Sequence, residues 1–177
     1  METITKILIE EHKHILKVVI ALKKESKKIK SGEKVNPKFF EKAIDFIKNY
    51  ADKYHHAKEE EILFIELKKD DVQMHCNPMD QMLYEHEQGR DYVKMMVEGL
   101  KSNNPDLIME GADGYSTLLE EHIFKEDNIL YPMADDVLTE KAQKMMLKQA
   151  QDVAEHKYKG ASEKYLKLAE ELNKNGA

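Results

Sequence analysis

Two stretches 67 residues apart carry nearly the same pattern, HHAKEEEILF over 55–64 and HIFKEDNILY over 122–131. Laid together they match His55 to His122, Lys58 to Lys125, Glu59 to Glu126, Ile62 to Ile129, Leu63 to Leu130 and Phe64 to Tyr131. Self-similarity at a fixed period implies two alike supersecondary units. Apolar residues around each copy recur at three- and four-residue offsets, so the units are helical hairpins.

Composition agrees with that constraint. Seven Gly and four Pro stand against ten Met and an abundance of Lys, Glu, Leu, Ile and Ala, residues that lose little rotamer freedom in a helix. Ile4, Leu8, Ile15, Val19 and Leu22 predict a first helix over about 3–29, stopping before Gly32. Asn36-Pro37 caps a second, through Phe40, Ile44, Ile47, Ala51, His55, Ile62 and Leu63 to near Asp70. After a loop over 70–78, Met82, Leu83, His86, Val93 and Val97 mark a third helix, ended by Ser102-Asn103-Asn104-Pro105. The fourth runs over about 106–131, where Pro132 stops or bends it. A last amphipathic stretch covers about 139–172. The expected architecture is all-α, an antiparallel four-helix bundle over about 3–133 with an additional C-terminal helix, residues 1–177 forming a single domain.

A formal net charge of −6, with Lys and Glu interspersed along the chain, describes a solvated surface and argues against a nucleic-acid partner. No apolar run is long enough to span a bilayer, and METITKILIEEHKH places acid and His where a signal peptide needs apolar residues. A cytoplasmic location is expected. Cys76, the single cysteine, excludes an internal disulfide and fits a reducing compartment.

His12, His55, His86 and His122 fall one to each predicted bundle helix, and most have apolar residues at the offsets of a buried face. A buried imidazole needs a partner. His55 and His122 are each followed four residues later by a glutamate, Glu59 and Glu126, which places both side chains on one helix face roughly 6 Å apart along the axis. His56 and Glu60 share that spacing and are the alternative pair, but the repeat favours His55 and Glu59. Four His and two Glu are too many for one tetrahedral zinc. Divided evenly they give each of two ions two imidazoles and a carboxylate, an open-sided set suited to non-haem iron. Mn and Zn share that ligand preference.

The stretches IEEHKHIL, YHHAKEEEILF, MLYEHEQGR and EEHIFKEDNILYP resemble, in order and over nearly the whole chain, the motifs of the hemerythrin HHE cation-binding family. The resemblance implies a site of two non-haem iron ions, bridged by carboxylate or by oxo or hydroxo groups, with His12, His55, Glu59, His86, His122 and Glu126 as ligands. The chain departs from the oxygen-carrying hemerythrins in having Met82 where those place a further histidine. Those proteins also use an aspartate five residues after the fourth-helix histidine; Asp127 holds that offset here and is the alternative to Glu126. The departures imply a likeness to family proteins implicated in iron–sulfur repair and in nitric-oxide or peroxide stress.

Other residues have plainer readings. His14 lies about 200° round the helix from His12 and is a partly exposed neighbour. His156 is a surface histidine or an outer ligand, and His75 and Cys76 share a loop. Tyr115 stands two turns before His122, as core filler or as a hydrogen-bond donor to the site. The methionines fill the core. Gly89 and Arg90 default to a close helix contact and a surface ion pair.

Three functions compete. The first is a small-molecule-binding di-iron protein that senses, stores or detoxifies O2, NO or peroxide; a sensor of this kind needs a homo-oligomer or a separate protein partner to pass on its signal. The second is an enzyme with peroxide turnover or iron delivery for cluster repair. The third is a structural bundle whose histidines are core polar groups.

Overall fold

The computed structural model describes residues 2–175. Six helices and no strands occur among them. Helix α1 spans Ile4–Lys30, begun by the Thr3 side chain accepting from the Lys6 amide. Helix α2 begins at Pro37–Phe46, capped by Asn36, widens into π-helical Ile47–His56 and Glu59–Leu63, and ends with Phe64–Leu67. Helix α3 spans Met79–Ser102, closed by left-handed Asn103 at φ 51°.

Helix α4 is longer than the sequence predicts. Asn104 caps Pro105–Lys125, a π-helical turn Glu126–Leu130 follows, and Tyr131–Val137 continues past Pro132. The π turn spares Pro132 the clash that its ring would meet in an unbroken α-helix. Proline is not what places the turn, however. In the first copy Ile65 stands at the matching position, yet Glu59–Leu63 is π-helical all the same, and the Phe64 and Tyr131 amides donate to Glu59 and Glu126 respectively.

The C-terminal stretch, expected as one helix, is two. Helix α5 spans Glu140–Asp152 with a π turn Val153–Lys157, and α6 spans Ala161–Asn175. Gly160 turns the chain between them at φ 75°, a left-handed conformation that costs other residues far more. Helix α5 is tied to the bundle end through Gln143, which accepts from the Ile4 amide at 3.2 Å and donates to Asp135 at 3.0 Å. Helix α6 lies against α1 and α2, with Tyr165 packed on Phe46 and Tyr50.

Helices α1 to α4 form the bundle, with α3 and α4 paired along their lengths and α1 against α4. Two apolar clusters fill it. One holds Val19, Leu22, Phe40, Phe46, Met96 and Ile108; the other holds Ile4, Leu8, Leu63, Met82, Leu130 and Met146. Along every bundle helix the chain passes from one cluster to the other through a histidine, at 12, 55, 86 and 122. A polar layer is thus enclosed between two oily ones.

Candidate metal centre

The histidines of that layer are almost fully buried: His12, His55, His86 and His122 are each at most 2 % exposed, and Glu59 and Glu126 are at 0 %. Every one of the four imidazoles is held at Nδ1 by a carboxylate from a neighbouring helix. His12 on α1 meets Asp127 of α4 at 2.7 Å, and His55 on α2 meets Glu11 of α1 at 2.9 Å. His86 on α3 meets Glu60 of α2 at 2.7 Å, and His122 on α4 meets Glu85 of α3 at 2.8 Å. An ionised carboxylate only accepts, so each Nδ1 carries a proton, and in the neutral, metal-binding form of each ring Nε2 is left with a lone pair.

Those lone pairs converge. Nε2 of His12 and His55 are 2.9 Å apart, and Nε2 of His86 and His122 are 3.1 Å apart. Glu126 spans the two pairs, Oε2 lying 3.2 Å from His12 and Oε1 3.2 Å from His122. Glu59 Oε2 lies 3.6 Å from His55 and 3.5 Å from His86. None of these three carboxylate oxygens has a hydrogen-bond partner although all are buried. Acceptors facing acceptors out of water are unfavourable unless a cation stands among them. The donors therefore fit metal ions, and two groups meet the spacing for one: His12, His55, Glu59 and Glu126, and beside it His56, His86 and His122.

A family model for the hemerythrin HHE cation binding domain matches residues 3–134. The chain belongs to the hemerythrin HHE family. No curated protein and no solved structure matches it significantly. Among the described residues, no helix of this HHE protein is long and apolar enough to cross a membrane.

All six residues singled out in the sequence of the HHE domain come together in the layer. Glu60 and Asp127, the alternatives to Glu59 and Glu126, match each other in the repeat and hydrogen-bond to Nδ1 of His86 and His12. His56 is not displaced by His55. It is 7 % exposed and joins His86 and His122, stacked on His86 at 3.7 Å between ring centroids. Two neighbours on one helix both facing inward is made easier by the π-helical segment Ile47–His56, whose wider turn subtends a smaller angle per residue.

Several residues escaped the sequence reading. Glu11 and Glu85 directly precede His12 and His86, and that repeated Glu-His pair was the available signal. Each is paired with a lysine from the repeat, Lys58 on Glu11 at 2.7 Å and Lys125 on Glu85. Lys58 is only 1 % exposed and also lies over the Tyr54 ring. Tyr131, not Tyr115, is the phenol on the site, donating to Glu59 Oε1 at 2.6 Å. Arg90 is more than a surface ion pair: it holds Asp52 at 2.6 Å and Glu60 at 3.0 Å, linking α3 to α2. His156, His75 and Cys76 are exposed, and His14 is half-buried.

Charge among the layer's own side chains is unevenly held. Burial, reinforced by the facing Glu126, keeps the Glu59 carboxyl well above the usual carboxylate range. Burial acts on Glu126 in the same direction but is outweighed by His122 and His12, which hold it well below. The proton therefore sits on Glu59 and the negative charge on Glu126. Entry of a cation expels that proton.

A cavity of about 340 Å³ reaches the layer at His56, His86 and His122. Its apolar walls include Val93, Tyr115 and Leu119, and Lys48, Lys53, Arg90 and Lys94 also line it. Gly89 forms part of the wall, and a Cβ there would stand 3.7 Å from both Leu119 and Tyr115.

Proposed function

We propose that the chain holds two non-haem iron ions in this layer and binds or reacts with O2, NO or peroxide. The observation that carries the reading is the set of inward Nε2 lone pairs and unpartnered carboxylate oxygens, arranged as two adjacent groups with Glu126 reaching both. His12 and His55 would hold one ion, His86 and His122 the other, with Glu59 and Glu126 between them. Reduced iron with an open coordination position supplies electrons to small oxidising ligands.

The protein's own part is orientation, access and exclusion of water. The carboxylates on Nδ1 fix each ring and raise its basicity. The cavity supplies one route, ending at the His86 and His122 side. The apolar clusters above and below exclude bulk water. Positive side chains around the cavity favour anionic or polar ligands over purely apolar ones.

Anaerobic loading with ferrous iron, followed by metal analysis and optical spectroscopy with O2, NO or H2O2, tests the reading. About two iron ions per chain and a spectral change with at least one ligand are expected. His122→Ala should sharply reduce the iron content. No iron uptake, or a loaded protein inert to all three, would refute it. Sustained peroxide turnover would identify an enzyme; binding without turnover would identify a carrier or sensor.

A further inference from the structure

The 67-residue repeat extends past the six inward donors into their surroundings, and where it breaks is informative. Lys58 and Lys125 pair with Glu11 and Glu85, and Glu60 and Asp127 orient His86 and His12. Two buried polar positions have no polar counterpart. Tyr131, on the His12 side, matches Phe64. His56, on the His86 side, matches Ile123.

His56 shares burial and a facing carboxylate with the four other inward histidines. It is 7 % exposed, and a carboxylate faces its Nδ1, Asp52 Oδ1 at 3.4 Å. Asp52 is itself fixed by Arg90 at 2.6 Å. A ligand atom of His56 lies within 4.8 Å of those of His86 and His122, a spacing that one ion can span. Its Nδ1 has no hydrogen bond that meets full geometry, so the protein's own groups leave this buried nitrogen unsatisfied. Meanwhile Met82 on α3 is 2 % exposed and packs in the apolar cluster with Leu8, Leu63 and Leu130. Helix α3 therefore supplies one histidine to the site.

We propose that His56 is a fifth histidine ligand, acting through Nε2 on the ion held by His86 and His122, alongside His55 and not in its place. The centre is then unequal: three imidazoles on the ion beside the cavity, two on the ion beside Tyr131. On binding, the His56 ring turns off the face of His86, and the cavity that it lines gives it room. Asp52 then accepts a hydrogen bond from the His56 Nδ1–H as the other carboxylates do from theirs. The proposal rests on the two-metal reading above.

Cobalt(II) in place of iron separates the two claims. Each imidazole bound to this paramagnetic ion gives one hyperfine-shifted N–H proton resonance that disappears in D2O. The full chain loaded with two cobalt ions should show five such resonances, and His56→Ala should show four while still taking up two ions. His56→Gln provides the same count should the alanine variant fail to fold, and four resonances in the wild type would by themselves decide against the proposal. Two cobalt ions with four resonances in the wild type, or five that survive His56→Ala, would overturn the proposal and leave the two-metal reading intact. A chain that takes up no cobalt would overturn both.

Discussion

His12 on α1 and Asp127 on α4 are joined from Nδ1 to Oδ1 across 2.7 Å, and this pair closes a ring of four such bonds round the bundle. The carboxylate on α1 orients the histidine of α2, that on α2 the histidine of α3, that on α3 the histidine of α4, and that on α4 the histidine of α1. No helix can rotate without spoiling the aim of an imidazole on another. Asp127→Ala should leave helical content unchanged while metal affinity falls by about 10–100-fold, the usual effect of losing a carboxylate behind a liganding histidine. Competition with a chelator of known affinity measures it; unchanged affinity would show that packing alone aims His12.

The two repeat lysines should differ in weight. Lys58 is 1 % exposed and Lys125 is 32 % exposed, although both sit on the glutamate that orients a histidine. Lys58→Met strands the buried Glu11 charge, and such a loss costs about 3–5 kcal/mol. Lys125 is itself partly in water and Glu85 keeps Gln81 at 2.7 Å and His122 at 2.8 Å, so Lys125→Met costs about 1 kcal/mol or less. Urea unfolding of the metal-free variants checks the contrast, and Lys58→Met combined with Glu11→Gln should recover most of the larger loss.

Stability of the metal-free protein should fall at both ends of the pH scale. The hydrogen bond from His86, with Arg90 nearby, lowers the Glu60 carboxyl to about 2; burial opposes the same shift at Glu85, but His122, Lys125 and Gln81 bring it to about 2 as well. Folded pKa values below the unfolded one mean that the unfolded chain binds more protons. Their stabilisation is present above the unfolded value near 4.5 and is lost as pH falls toward 2. His122 has the opposite sign: burial lowers its pKa, but Glu126 and Glu85 outweigh it and raise it to about 9. Its contribution is present below the unfolded value of 6.5 and is lost as pH rises to about 9. Urea midpoints across pH should show Glu60→Gln flattening the acid limb and His122→Gln the alkaline one; variants that parallel the wild type would contradict these assignments.

Gly89 lies within α3 and lines the cavity, with room for a Cβ in ordinary contact with Tyr115 and Leu119. Gly89→Ala should raise stability by about 0.5–1 kcal/mol, because glycine is costly inside a helix. The same methyl narrows the route to His86 and His122. Thermal unfolding and stopped-flow azide binding to the iron-loaded protein should therefore move in opposite directions, firmer folding with slower binding at unchanged iron content. Unaltered binding rates would mean that ligands arrive by another path.

The bundle helices, the gathering of His12, His55, Glu59, His86, His122 and Glu126, and the likeness of the two hairpins were legible in the sequence. Each is local in origin: a 3.6-residue periodicity, a four-residue spacing, a repeat. The sequence did not give the continuation of α4 beyond Pro132 or the break at Gly160, because a π turn and a left-handed glycine alter the backbone without disturbing the apolar pattern. Only the tertiary structure decided that Glu60 and Asp127 serve histidines on other helices, that Tyr131 rather than Tyr115 reaches a site carboxylate, and that His56 faces inward together with His55. Those are relations between helices that pack far apart in the chain, and they depend on how each is rotated about its axis. Spacing along one helix determines which residues share a face, while neighbouring helices determine what that face meets.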